Sequence, residues 1–219
     1  MPDGTVIPNS KVIALNTNVA YLDNYWILGE KRDPGNHLAW LEAELASIEK
    51  AGGLAYIIGH VMPQQQAEQS GGRYRALMER YQHIIRMEMF GHTHDTWYNV
   101  VNSMSSPDKH IGVQQVGPSA TTWNEGNLEN PGYAVITIDS ETLLPLNFQI
   151  YALDIKSANA LNETAWELTT DYIQDYELTD ISPDQLYKLA ERMKIDGNLA
   201  SLFEWDRTRK ANEVQRCDE

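Results

Sequence analysis

Cysteine is almost absent from the 219-residue chain: there is one, Cys217. That excludes an internal disulfide framework and, taken alone, suits a reducing compartment or a fold stable without covalent staples. Long apolar runs are missing too. None approaches the ~18 residues that a membrane-spanning helix needs. The opening stretch MPDGTVIPNSKVIALNTN lacks the charged-then-apolar order of a signal peptide. Basic residues are scarce: 17 Lys+Arg against 31 Asp+Glu leave a formal net charge of −14. With a pI of about 4.8, the chain is a poor partner for nucleic acid or an anionic membrane, both of which call for clustered Lys and Arg. What is present is ordinary. Hydrophobic residues make up 42% and charged residues 22%, as in soluble globular proteins, and the length suits one large domain or two small ones.

The patterning predicts an α/β layered start. Val12 to Leu15 is a short β-branched run, read as a buried strand. Leu38, Leu41, Leu45 and Ile48 then recur at helical spacing, with Asn36 as the expected N-cap and Gly52-Gly53 as the stop. Leu54 to Ile58 reads as a strand covered on both faces. A second helix is predicted from about Tyr74 to Arg86, followed by a strand from Met87 to Phe90. Four further strands without long helices between them follow, over 97–101, 111–116, 133–138 and 143–151, in the manner of hairpins or a meander. Beyond Ser157 the chain is read as helical, and Ser182-Pro183-Asp184-Gln185 spells a capping box. The expected division is residues 1–156, then a C-terminal helical region over 157–219.

Six histidines are the chemistry-bearing residues. Gly59-His60 and Gly91-His92-Thr93-His94 each end a predicted strand, which is where open α/β sheets collect ligands. Glycine lets the backbone turn sharply there, and neutral imidazole is the commonest metal ligand. A lone Gly-His is more often an ordinary loop histidine. Gly-His-Thr-His is sharper, because an extended segment would send both imidazoles to one side.

Together these motifs resemble the last two metal motifs of the calcineurin-like metallophosphoesterases. The Asp33-Pro34 turn leading to Trp40-Leu41-Glu42, Tyr56 to His60, Gly117 to Thr122, Asn130-Pro131-Gly132-Tyr133 and a helix over Trp166 to Tyr176 narrow the likeness to the acid sphingomyelinase-like phosphodiesterases, from about Val12 to Phe203. The resemblance implies the C-terminal half of a metallophosphoesterase β-sandwich flanked by helices. It implies a Zn²⁺-dependent phosphodiester hydrolase, in which a metal-activated hydroxide attacks phosphorus between two cations roughly 3.5–4 Å apart. His60 and His92 resemble ligands of one zinc, His94 resembles a ligand of the other, and Trp123 falls where relatives place an aromatic near the substrate. The implied substrate is a phosphodiester small molecule or lipid headgroup, acted on by a monomer.

The sequence departs from the family in one respect. The family's earlier D-x-H, G-D and G-N-H motifs are not found in order ahead of Gly59, and there is no G-D dipeptide at all. Asp108-Lys109-His110 has the first spelling but enters a strand instead of leaving one. Gly35-Asn36-His37 has the third, but Leu38 follows where an acid is expected. The chain is therefore read as the C-terminal portion of such an enzyme, with Cys217 separated from an upstream partner. The alternative is a catalytically silent zinc-binding or interaction fragment. The family implies a secreted or lysosomal protein, which agrees with the glycosylation sequon Asn162-Glu163-Thr164.

Overall fold

The computed structural model describes residues 7–29, 32–124 and 127–211; Cys217 lies outside them. In chain order the regular elements are β1 (Lys11–Ala14), α1 (His37–Lys50), β2 (Ala55–Ile58), α2 (Glu68–Tyr81), β3 (Ile85–Phe90), β4 (Trp97–Asn102), β5 (His110–Val116), β6 (Trp123–Asn124), β7 (Asn127–Leu128), β8 (Gly132–Ile138), β9 (Pro145–Leu153), α3 (Ile155–Leu161), β10 (Trp166–Asp171), α4 (Tyr172–Asp175), α5 (Pro183–Met193) and α6 (Gly197–Arg207). This is an α+β layered fold. The described residues fall into two compact units, one drawn from Met1–His92 and Val101–Gln114, the other from Thr93–Val100 and Gln115–Glu219.

In the first unit, β1, β2 and β3 pair in parallel, with Ile13 opposite Ile57 and Ile57 opposite Glu88. They begin the sheet ordered β1-β2-β3-β5-β4. Parallel pairing requires a crossover between successive strands, and α1 and α2 supply it. Helix α1 buries Leu38, Leu41, Leu45 and Ile48, the four residues whose spacing predicts it. Ala55 and Ile57 of β2 are fully buried, and the Ile57 side chain contributes about 1.5–3 kcal/mol by leaving water. Asn36 is not the cap expected of it. It sits in the left-handed region at φ 53° without a capping side-chain bond. Asp33 caps the helix instead, its two carboxylate oxygens accepting from Leu38 N and Ala39 N at 2.8 and 2.9 Å. A three-residue 3₁₀ turn, Pro34–Asn36, carries the chain back over those amides.

In the second unit the strands are antiparallel, ordered β10-β9-β8. Phe148, Ile150 and Ala152 of β9 face inward, and Tyr172, Tyr176, Leu186 and Leu189 are buried in the same unit. Trp166 to Tyr176 is not one helix. Trp166–Asp171 is a strand paired with β9, and only Tyr172–Asp175 is helical. The sequence Trp-Glu-Leu-Thr alternates apolar and polar residues with the strand period of two, and Thr169-Thr170 adds β-branched residues that suit a pleated surface. Ser182 precedes α5, as expected, but makes no capping bond through its side chain.

Candidate functional site

The first unit brings two of the expected site histidines together. His60 follows β2, and His92 follows β3, its parallel neighbour. Three features hold these strand ends. Gly59 is packed so tightly that a Cβ there would lie 2.7 Å from Thr17 Cγ2 and 3.1 Å from a Phe90 ring atom. Thr17 Oγ1 accepts from both His60 N and Val61 N, at 3.0 and 2.6 Å. Gly91 N donates to His60 O at 3.0 Å. The His92 Nδ1 and His60 Nε2 atoms then face each other 3.3 Å apart, with the rings edge to face at 5.1 Å.

A third member was not legible in the sequence. Tyr21 Oη lies 3.1 Å from His92 Nε2, and the two rings meet edge to face at 4.9 Å. The Tyr21 backbone is itself fixed by an antiparallel bridge to Gln66. Its partner lies 71 residues away in the chain, so spacing gave no signal for it.

The expected zinc can be tested against this donor set. Two nitrogens bound tetrahedrally to one cation at ~2.0–2.1 Å stand about 3.3–3.4 Å apart, which matches the His60–His92 separation. A metal-bound imidazole normally donates its far N–H to an oxygen, and Tyr21 Oη is placed to receive it from His92 Nε2. The pair therefore fits two positions of such a site. It does not complete one: among the described residues no group of three or more His, Cys, Asp or Glu side chains is arranged to hold a metal. His37 belongs to the start of α1, and Asp108-Lys109-His110 is a turn entering β5.

His94 and Trp123 lie in the second unit and meet there. His94 Nδ1 bonds the Trp123 carbonyl, and their rings are 5.4 Å apart and edge to face. His92 and His94 do not share one side of an extended segment, because neither is extended. Their φ values are 79° and 65°, a left-handed conformation uncommon outside glycine. In an extended strand, residues at i and i+2 share a side; two left-handed residues do not follow that rule.

A buried charge network holds the backbone at His94. Arg209, with none of its side chain exposed, donates through Nη1 to His94 O at 2.9 Å and pairs through Nη2 with Glu129 Oε2 at 2.6 Å. Its Nε donates to Asn130 O, and Asn130 Nδ2 returns a bond to Arg209 O at 3.0 Å. Beside it, Arg207, whose side chain is one-third exposed, pairs with Asp95. Burial lowers the Arg209 pKa and the Glu129 carboxylate opposes that shift. This network explains Asn130-Pro131-Gly132: a Cβ on Gly132 would lie 2.5 Å from Arg209 Cδ. Asn162, the sequon residue, is the exposed C-cap of α3 at φ 53°.

Fold and site together define an α+β layered protein with a histidine pair built on adjacent parallel strand ends. Comparison with known proteins makes the class specific. Residues 112–203 match the acid sphingomyelin phosphodiesterase C-terminal region. The chain is 30% identical over 201 residues to the sphingomyelin phosphodiesterase of Bos taurus, covering 90% of this chain and 32% of that protein. It is 29% identical over 201 residues to the human cyclic GMP-AMP phosphodiesterase SMPDL3A, covering 87% of this chain and 44% of that one. It is 27% identical over 202 residues to the human acid sphingomyelinase-like phosphodiesterase 3b, covering 85% and 44%. What the chain matches is the C-terminal region of the acid sphingomyelinase-like phosphodiesterases, over residues 112–203 for the family and over 90% of its length for the bovine relative. It spans about a third to under half of the length of these relatives.

Proposed function

We propose that this chain contributes to a metal-dependent phosphodiester hydrolase, and that His60 and His92 are cation ligands within it. The observation that carries the reading is the pair of imidazole nitrogens held 3.3 Å apart at neighbouring strand ends, in a chain whose relatives are named as phosphodiesterases. A bound Zn²⁺ would supply positive charge for phosphoryl oxygens and would lower the pKa of water near it. The chain's own residues do the positioning. Thr17 fixes the His60 backbone, and Tyr21 orients the His92 ring. In the second unit, Arg209 holds the backbone carrying His94, our candidate ligand for a second cation, and Trp123 offers an exposed ring toward a substrate. The substrate class is a phosphodiester of a small molecule or lipid headgroup, and by resemblance the setting is secretory or lysosomal.

Metal analysis and hydrolysis of a chromogenic phosphodiester test the reading in the full-length protein. His92→Ala should abolish turnover and lower the zinc content; a His92→Ala protein with full zinc and full turnover would sink it. One observation favours a second reading. No third donor joins the two imidazoles among the described residues, as a catalytically silent zinc-binding or interaction fragment would have it. Turnover by the 219-residue chain alone would refute that alternative.

A further inference from the structure

We propose that Asn162 carries an N-linked glycan, and that the stem of this glycan lies over the apolar outer face of the β8-β9-β10 sheet. This goes beyond the phosphodiesterase reading and rests only on its secretory or lysosomal setting.

The sheet face comes first. Tyr133 stands opposite Tyr151, and Tyr151 stands opposite Leu168, making one row across the three strands. Trp166 and Leu153 form the neighbouring row at one end, and Val135 opens the next row at the other. Tyr133 and Tyr151 stack with centroids 5.3 Å apart and planes within 5°, and Trp166 lies 5.5 Å from Tyr133. These side chains face solvent: Tyr133 is 46% exposed, Trp166 47% and Leu168 45%. Scattered apolar residues on a surface need no explanation, but a contiguous aromatic patch marks a surface that something covers.

The sequon lies at the rim of this patch. Helix α3 connects β9 to β10, so it sits at the sheet end where Leu153 and Trp166 pair. It delivers Asn162 four residues before Trp166, within ~14 Å even for an extended chain. Asn162, Glu163 and Thr164 are all exposed, as an acceptor site must be. The transfer forms one bond: Asn162 Nδ2 displaces a lipid-linked pyrophosphate from the anomeric carbon of the donor oligosaccharide, and the amide proton leaves with it. An N-acetylglucosamine ring has an apolar C–H face that stacks on Tyr and Trp faces and a hydroxylated face that meets water. It can therefore cover this patch without burying unsatisfied polar groups. Two other occupants suit the chain less well. A net charge of −14 opposes both self-association and adsorption to anionic lipid.

The test is secretion of the protein from a eukaryotic host, with glycopeptide mass analysis and binding of a dye that fluoresces on apolar surfaces. The glycan should map to Asn162 and vanish in both Asn162→Gln and Thr164→Ala. Dye fluorescence should rise several-fold in Asn162→Gln, and that rise should shrink when Leu168→Thr is added. Where the Leu168→Thr protein folds poorly, Val135→Thr serves the same purpose at the far row. An unmodified Asn162 overturns the proposal. So does a modified Asn162 whose loss leaves dye binding unchanged. A dimer in sedimentation, or flotation with phosphatidylcholine vesicles, when the glycan is present would assign the face to a different occupant.

Discussion

The two units position their histidines by opposite means. In the first, His60 and His92 are fixed by neutral elements: parallel strand ends, a glycine that must be glycine, and the hydroxyls of Thr17 and Tyr21. In the second, the backbone at His94 is held by charge, through a fully buried Arg209 paired with a buried Glu129. The difference teaches where each unit is fragile. A neutral scaffold loses its interactions one at a time, each modest in size. A buried ion pair is nearly all or none, because removing one partner strands the other charge without solvent.

The largest effect should therefore come from breaking that pair. Glu129→Gln or Arg209→Met should destabilise the second unit by about 3–5 kcal/mol, seen in denaturant unfolding and as hydrogen exchange confined to that unit. The double variant Arg209→Met/Glu129→Leu should recover much of the loss, since it leaves no uncompensated charge. Equal losses in the single and double variants would mean that the pair acts through packing alone.

A buried acid in the neutral unit sharpens the contrast. Glu88, on β3, is fully buried, and its partners are uncharged: Tyr74 Oη donates to Oε2 at 2.6 Å and Gln114 Nε2 donates at 3.0 Å. Burial raises its pKa from 4.5 to about 7, against the lowering effect of those two hydrogen bonds. The sign follows from linkage. Below about pH 4.5 both the folded and unfolded states hold the proton, and Glu88 costs the fold nothing. Between 4.5 and 7 the unfolded chain releases it first, so the contribution of Glu88 to stability falls with rising pH and levels off above about 7. The loss is of order 3 kcal/mol, at 1.36 kcal/mol per pKa unit. Glu88→Gln should flatten this slope in unfolding curves measured from pH 4 to pH 8. An unchanged slope would assign the pH dependence to another group.

Much of the fold was legible because it is local. The apolar spacing of α1 and the short apolar runs of β1 and β2 are written in consecutive residues, and the structure places them there. So are the glycines beside His60 and His92. Misreadings arose where tertiary contact overrides a local signal. Helix α2 begins at Glu68, not Tyr74, and runs through Gly71 and Gly72. A Cβ at Gly71 would lie 2.7 Å from Pro63 O, so the glycine serves close packing. Over Trp166–Asp171 the family likeness implies a helix, but the residues alternate with the strand period, and pairing with β9 follows that alternation. Tyr21 and Arg209 could not be found by spacing, since their contacts to His92 and His94 span 71 and 115 residues.

The smallest expected effect is the one that tests the histidine pair most directly. Tyr21→Phe removes only the hydroxyl from the 3.1 Å contact with His92 Nε2 and keeps the ring that meets His92 edge to face at 4.9 Å. The cost to stability should be about 0.5–1.5 kcal/mol, the net worth of one hydrogen bond. The informative readout is the His92 ring itself. The Tyr21 hydroxyl can accept from or donate to Nε2, so it biases the balance of the two His92 tautomers, and its removal changes that bias. Nitrogen chemical shifts of the imidazoles, measured by NMR, should change at His92 as its tautomer balance shifts and stay unchanged at His94 in the other unit. A Tyr21→Phe protein with an unaltered His92 tautomer would mean that His60 alone orients the ring, and the neutral unit would then position its histidines without the tyrosine.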